Sequence, residues 1–515
     1  MREGHLAKNR MKKLIAAFLL IITVACQTNT EEKRPNIIVF LVDDMGWQDT
    51  SVPFWNEKTA FNELYQTPNM ERLALDGMKF TQAYSCSVCT PTRVSLMTGM
   101  NAARHRVTNW TLEKDTQPVA DDDILQQPNW NVNGMSPVAG IQNSIFATPL
   151  PKLLKDAGYF TIHSGKAHLG AIGTPAADPI NLGFDVNIAG HAAGAPGSYY
   201  GKDDFGNKKA DNVWAVPGLE KYYGKDIFLT EALTLEAISS MNQAIDAEQP
   251  FFLYMAHYAV HTPIQGDDRF VQKYLDMGIN PIEAKYASLI EGMDKSLGDI
   301  MDFLKQKAID DNTIVLFMSD NGGLSAVSRG GEKHTHNLPL SSGKGSAREG
   351  GIREPMIVKW PEKVRPNSVT DAHIIIEDFF PTVLEIADIE KYETVQEVDG
   401  LSFVPVLKGK EFENSRPLFW HYPNRWGPIG PGIGSTSSVR LGDWKLIYYH
   451  ADRHFELFNL NEDIGESQNL AEKEPAKLEE LAKVLSEYLK KVDAQMPIDK
   501  ATGKTVELPS EALSN

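Results

Sequence analysis

Cys86 and Cys89 stand in a C-x-x-C spacing, and the second is followed at once by Thr90-Pro91-Thr92-Arg93. That spacing fits a redox dithiol or half of a zinc site. The chain has three cysteines in all, and no histidine cluster follows at the usual spacing to complete a zinc set. Two acidic pairs point elsewhere. Asp43-Asp44 closes the apolar run of "RPNIIVFLVDDMGW", and Asp320-Asn321 closes that of "DNTIVLFMSDNGG". Adjacent carboxylates at the end of a buried strand repel one another unless a cation neutralises them. Three carboxylates and an amide oxygen make a hard, all-oxygen ligand set, suited to Ca2+ or Mg2+ and not to zinc. Either pair alone reads as a turn or a helix cap; both together at strand ends favour the metal.

A basic group accompanies them: Arg93, Lys166 and His168 of "GKAHLG", His261 of "AVHTP" and Lys344 of "GKGSAREGG". Singly, each is a solvated lysine or a structural histidine. All lie just after apolar strands or in Gly-bounded loops. A cation beside Arg and Lys with two imidazoles describes a pocket for a tetrahedral oxyanion.

The elements that must position these residues follow from the apolar pattern. "RPNIIVFLV", "EQPFFLYMAHYAVHTP" and "DNTIVLFMSDNGG" read as buried parallel strands with polar carboxyl ends. Between the last two, Tyr286, Leu289, Ile290, Met293, Leu297, Ile300, Met301 and Leu304 share one helical face. The pattern predicts an α/β fold: a large, mostly parallel sheet sandwiched by helices, with ligands beyond the strands' carboxyl ends. Past residue 408 the texture turns to aromatics, Gly and short alternating runs. A smaller antiparallel sheet is expected there, with the amphipathic helix of "EPAKLEELAKVLSEYLKKVDAQM". The expected boundaries are 34–408 for the larger domain, 409–497 for the smaller and 498–515 for a tail.

A chain of 515 residues exceeds one ordinary core. Its 42% hydrophobic and 23% charged residues are those of a folded soluble protein. A formal charge of -17 argues against nucleic acid as a partner. At the amino terminus, "MKKLIAAFLLIITVAC" reads as an export signal starting at Met11, too short to span a bilayer. Ala25-Cys26 looks like a lipoprotein cleavage site, with ordinary cleavage nearby as the alternative. Residues 1–26 are thus the expected signal and 27–33 a polar tether. The protein is expected to be exported, to the periplasm or the outer membrane of a bacterium, touching membrane only through a lipid on Cys26.

"CTPTRVSLMTG" resembles the sulfatase signature C-x-P-x-R, and "GKAHLG", "HTP", "SDNGG" and "GKGSAREGG" resemble that family's other blocks in order. The likeness runs over about 34–490, with Ala167 where the family commonly has Trp. The resemblance implies an alkaline phosphatase-like fold and a sulfuric ester hydrolase. It implies that a maturation enzyme oxidises Cys89 to Cα-formylglycine, leaving the C-x-x-C spacing incidental. It also implies that Asp43, Asp44, Asp320 and Asn321 hold Ca2+ together with modified Cys89. Arg93 then stabilises the hydrated aldehyde, and Lys166 and Lys344 bind sulfate oxygens. His261, assisted by Lys344, is the implied acid for the leaving oxygen, and His168 the implied base.

For the alcohol, "TGMNAARHRVTNW" supplies Arg104, His105, Arg106, Asn109 and Trp110, and "FWHYPNRWG" supplies His421, Asn424, Arg425 and Trp426. Aromatic faces with Arg, His and Asn suit a sugar ring, although the tryptophans could equally be core. The expected substrate is a sulfated carbohydrate, of galactose type with a 4-O-sulfate. Three alternatives stay open: a phosphonate or phosphodiester hydrolase of the same superfamily, an inactive binding protein, and a secreted redox or zinc module.

Overall fold

A computed structural model describes residues 33–514, apart from 327, 328, 411, 413 and 414. Residues 1–32, with the expected export signal, Cys26 and nearly all of the tether, lie outside the described residues. No helix among the described residues is long and apolar enough to cross a membrane.

The large sheet is built from β1 (Asn36–Val42), β2 (Met78–Tyr84), β3 (Phe160–Gly165), β4 (Val186–Ile188), β5 (Phe251–Ala256), β6 (Thr313–Ser319), β7 (Arg353–Lys359), β8 (Ser368–Thr370) and β9 (Ile374–Ile375). Its order is β8-β2-β7-β6-β1-β5-β3-β4, with β9 also on β2. Central β1 runs parallel to both β5 and β6, pairing Ile38 with Leu253 and with Val315. Only β7 runs against its neighbours. This is the mostly parallel sheet expected from the uninterrupted apolar runs.

Both faces of the sheet are covered. Ile38, Phe40 and Val42 of β1 point into one core, and Ile37, Val39 and Leu41 into the other. On the first face lie α1 (Pro68–Asp76), α3 (Leu229–Asp246) and α4 (Pro281–Gln306); on the second lie α2 (Cys89–Thr98) and α5 (Phe379–Ile386). The eight apolar residues expected on one face of α4 are all buried in the first core. Each such side chain contributes about 1.5–3 kcal/mol, an upper figure because the unfolded chain is already partly compact.

A second, antiparallel sheet runs β10 (Leu418–Tyr422), β11 (Thr436–Leu441), β12 (Trp444–Tyr449), β13 (Phe455–Asn459), and α6 (Pro475–Lys491) closes its core through Leu481, Leu485 and Leu489. Pro35–Asn515 is one compact unit, so the change near residue 408 is one of sheet type. Tyr84 and Ile352 pack with Leu418 and Trp420, which joins the two sheets. Of the stretch 498–515, expected as a tail, the described residues 498–514 are folded. Ile498–Asp499 pairs with Lys504–Thr505 and with Leu125–Gln126, and Val506 enters the small core. Its few apolar residues escaped a periodicity argument because each paired segment is only two residues long.

Candidate active site

The carboxyl ends of β1, β2, β3, β5 and β6 meet at one edge of the sheet. Because β7 is reversed, the loop leading into it reaches the same edge and delivers Lys344. Cys89 is the first residue of α2, and Arg93 lies one turn on along the same face. Buried Arg93 places Nε 2.9 Å from Asp320 Oδ2 and donates from Nη1 to the Lys166 carbonyl at 2.8 Å. It thereby ties the nucleophile helix to the ends of β3 and β6.

Each buried carboxylate has one cationic partner. Lys166 Nζ is 2.7 Å from Asp43 Oδ2, and Lys344 Nζ is 2.6 Å from Asp44 Oδ1. Arg93 Nη2 is 2.8 Å from Asp320 Oδ2. Asn321 Nδ2 donates to Asp44 Oδ1 at 2.8 Å. Asp320 Oδ1 accepts from the Asp44 amide at 3.2 Å, but Asp43 Oδ1, Asp44 Oδ2 and Asn321 Oδ1 are buried without any hydrogen-bond partner. Orphaned buried acceptors of this kind are costly unless something positive meets them. Burial, only partly offset by Lys166, pushes the Asp43 carboxyl well above the usual range, as expected where a counter-charge is missing. Against burial, Lys344 holds Asp44 below it. These acceptors are hard oxygens, with the His261 imidazole beside them, so the residues present fit Ca2+ or Mg2+. The ligand atoms of Asp43, Asp44 and His261 lie within 4.8 Å of one another. No cysteine joins such a group among the described residues.

Cys89 Sγ is 3.3 Å from His168 Nδ1. His168 Nε2 is 2.8 Å from the Thr111 carbonyl, which can only accept, so the ring proton sits on Nε2 and the Nδ1 lone pair faces residue 89. Burial, with Lys166 nearby, holds this imidazole well below its usual pKa and therefore neutral. On the other side, His261 Nε2 is 3.6 Å from Asp44 Oδ2, and its Nδ1 is 2.9 Å from the Thr262 carbonyl. Burial and then Lys344 push His261 down to about 3. The arrangement gathers the Cys89 side chain, a neutral imidazole, two ammonium groups and a second imidazole around one point.

Cys86 opens onto a different, small cavity, and both cysteines are free thiols. Opening onto different cavities, with no cysteine in a metal-ligand group among the described residues, they argue against the dithiol and zinc readings. The cleft above Cys89 is about 650 Å³ and is walled by Trp110, Trp214 and Trp426. Of the expected alcohol-binding residues, Trp110 and Trp426 line it. Arg104 is spent on Asp399 and Glu397, and His105 sits in the core between Ser95 and the Val107 amide. Buried Asn109 braces the Arg425 carbonyl, and buried His421 bridges Ser437 and the Gln495 carbonyl. Arg425 is exposed outside the cleft. Residue type alone does not tell whether a guanidinium or imidazole is already engaged. Asn212 and Trp214 were missed because they lie in the irregular stretch 189–228, where no periodicity speaks.

The sulfatase family model matches residues 35–389. The chain belongs to the sulfatase family. The C-terminal model of N-sulphoglucosamine sulphohydrolase also matches this sulfatase, over residues 344–495. It is 30% identical to a sulfatase of Formosa agariphila, over 91% of this chain and 90% of that one. It is 31% identical to N-acetylgalactosamine-6-sulfatase of Mus musculus, over 85% and 76% respectively. The crystal structure of Ps i-CgsB, also solved with k-i-k-neocarrahexaose, superposes with a TM-score of 0.70 at 27% identity, covering 89% of this sulfatase and 93% of that chain. The sulfatase is thus a sulfuric ester hydrolase with the alkaline phosphatase-like fold.

Proposed function

We propose that this sulfatase hydrolyses sulfate esters of carbohydrates, using Cα-formylglycine made from Cys89 by a maturation enzyme and Ca2+ held by Asp43, Asp44, Asp320, Asn321 and modified Cys89. The observation that carries the reading is the lone pair of His168 Nδ1, 3.3 Å from Cys89 Sγ, in a site with three orphaned buried oxygens. The ion supplies Lewis acidity beside residue 89, and the aldehyde hydrate supplies one hydroxyl for attack on sulfur and a second for release of sulfate.

This chain's own residues do the rest. Lys166 and Lys344, whose ammonium groups stand 2.7 Å from Asp43 and 2.6 Å from Asp44, would present them to the ester oxygens and offset charge developing there. Arg93 keeps Asp320 and α2 in register. His168 takes a proton at Nδ1 from residue 89, its orientation fixed by the Thr111 carbonyl. His261 donates its Nδ1 proton to the Thr262 carbonyl and presents Nε2 to the leaving oxygen; to act as the acid it takes up a second proton at Nε2 as the anionic ester binds beside it, and delivers that proton with Lys344 alongside. A sugar alkoxide is a poor leaving group, and such proton transfer is worth about 10²–10⁴-fold.

The relative named N-acetylgalactosamine-6-sulfatase and the neocarrahexaose complex of Ps i-CgsB support a galactose-type ring. The 4-O-sulfate expected from the sequence competes with the 6-O-sulfate that the relative's name carries. Export through the segment before residue 27, with lipid on Cys26, would place the enzyme at the periplasm or outer membrane. Protein coexpressed with the maturation enzyme is assayed on galactose-type 4- and 6-sulfates, and on an aryl sulfate and an aryl phosphodiester with the same phenol. Sulfate turnover should dominate, and the mass of the residue 89 peptide should show the thiol-to-aldehyde change. Full activity with an unmodified thiol at 89, or faster phosphodiester turnover, rejects the proposal.

A further inference from the structure

The cleft that receives the alcohol is electrically bare. Apart from Lys344, no lining residue carries a full charge among the described residues, and only Cys89, His168 and His261 can titrate. The walls beyond the chemistry are the indoles of Trp110, Trp214 and Trp426, with Leu324, Pro428 and one neutral amide, Asn212. Trp426 is fixed directly over Gly345, whose added Cβ would fall 2.0 Å from the ring, so this wall begins one residue from the Lys344 ammonium. Asn212 spends its Nδ2 on the Gly206 carbonyl at 2.9 Å. Arg425, which follows Asn424 into the same loop as Trp426, is exposed and does not line the cleft.

Indole faces attract the C–H faces of a ring and offer N–H groups to hydroxyls, but they give no counter-charge to an anion. A second sulfate or a carboxylate in this cleft would lose its water with nothing opposite it. The surrounding field adds to that cost, since the whole chain carries a formal charge of -17. We propose that the group bearing the sulfate is otherwise uncharged: a neutral, singly sulfated sugar lying against Trp110, Trp214 and Trp426. This deepens the reading above and rests on it.

The test uses the matured, Ca2+-loaded enzyme on four probes. They are 4-nitrophenyl sulfate, galactose-type monosaccharides with one sulfate, the same sugars with two, and a singly sulfated disaccharide bearing a uronate. The singly sulfated neutral sugar should exceed both charged sugars in kcat/KM by about tenfold or more. A smaller ratio, or aryl turnover with no sugar hydrolysed, overturns the inference while leaving the enzyme a sulfatase. Failure on every sulfate, the aryl ester included, removes the underlying reading and this one with it.

Discussion

At the scale of single residues, the two histidines make separable predictions. His168 faces residue 89, whereas His261 stands beside Asp44 and Lys344. An acid that protonates the leaving oxygen matters in proportion to how badly that oxygen needs a proton. His261→Ala should therefore lower kcat/KM on a sugar sulfate by about 10²–10⁴-fold, and on 4-nitrophenyl sulfate far less, because the phenolate leaves unaided. Equal losses on both esters would remove His261 from that role. The cysteines separate just as cleanly. Burial pushes the Cys86 thiol up to about 12, so it stays protonated in its own small cavity. Cys86→Ala should cost about 1 kcal/mol of stability and leave turnover standing, whereas Cys89→Ala should abolish turnover in a protein that still folds. Loss of activity in the Cys86 variant would revive the dithiol. Asp43, Asp44, Asp320 and Asn321, with Lys166, His168 and His261, could be singled out in the sequence because they follow apolar runs, whereas Arg93 and Lys344, on a helix and in a Gly-bounded loop, drew notice only through the motifs around them. Arg104, His105 and His421 misled because their partners, Asp399, Ser95 and Ser437, are set by tertiary packing that no local pattern announces.

At the scale of elements, the carboxyl ends of strands deliver the chemistry, and the turn after β3 has the least room for change. Gly165 ends that strand with φ +105, and a Cβ there would fall 1.9 Å from the Ala256 carbonyl oxygen on β5. A backbone atom so close cannot swing aside, and a left-handed φ is strained for any side chain. Gly165→Ala should destabilise the fold by about 2–4 kcal/mol and displace Lys166, lowering activity in whatever fraction stays folded. Thermal melting reads the first effect and kcat/KM at a temperature below the melt reads the second; wild-type values in both would show that the close approach has no consequence. Strands β1, β5 and β6 and helix α4 were legible because long runs of one periodicity leave few alternatives. The reversed direction of β7 was not, since antiparallel and parallel buried strands share the same apolar texture. That reversal is what brings Lys344 to the catalytic edge. The Trp214 wall was illegible for the opposite reason, lying where the chain follows no repeat at all.

At the scale of the whole molecule, the site's charge balance governs both stability and binding. Three buried carboxylates face three side-chain cations, so the protein alone is neutral there, and a divalent ion leaves a surplus of two positive charges for an anionic ester. Chelation should stop turnover, and Ca2+ should restore it, while the chelated protein still melts cooperatively because each carboxylate keeps a partner. Bound ion adds stability as RT ln(1 + [L]/Kd), about 2.7 kcal/mol at a hundredfold excess over Kd. On the proposed ligand set Lys166 and the ion would share Asp43 as a partner, and that sharing can be measured. In Lys166→Met, Asp43 has no counter-charge of its own once Ca2+ is removed, and an unpaired buried carboxylate costs about 3–5 kcal/mol. With Ca2+ present the ion takes over much of that compensation. The drop in melting temperature on chelation should accordingly be larger in Lys166→Met than in the wild type. Identical drops would mean that the ion does not meet Asp43, and the all-oxygen metal site would have to be redrawn without it.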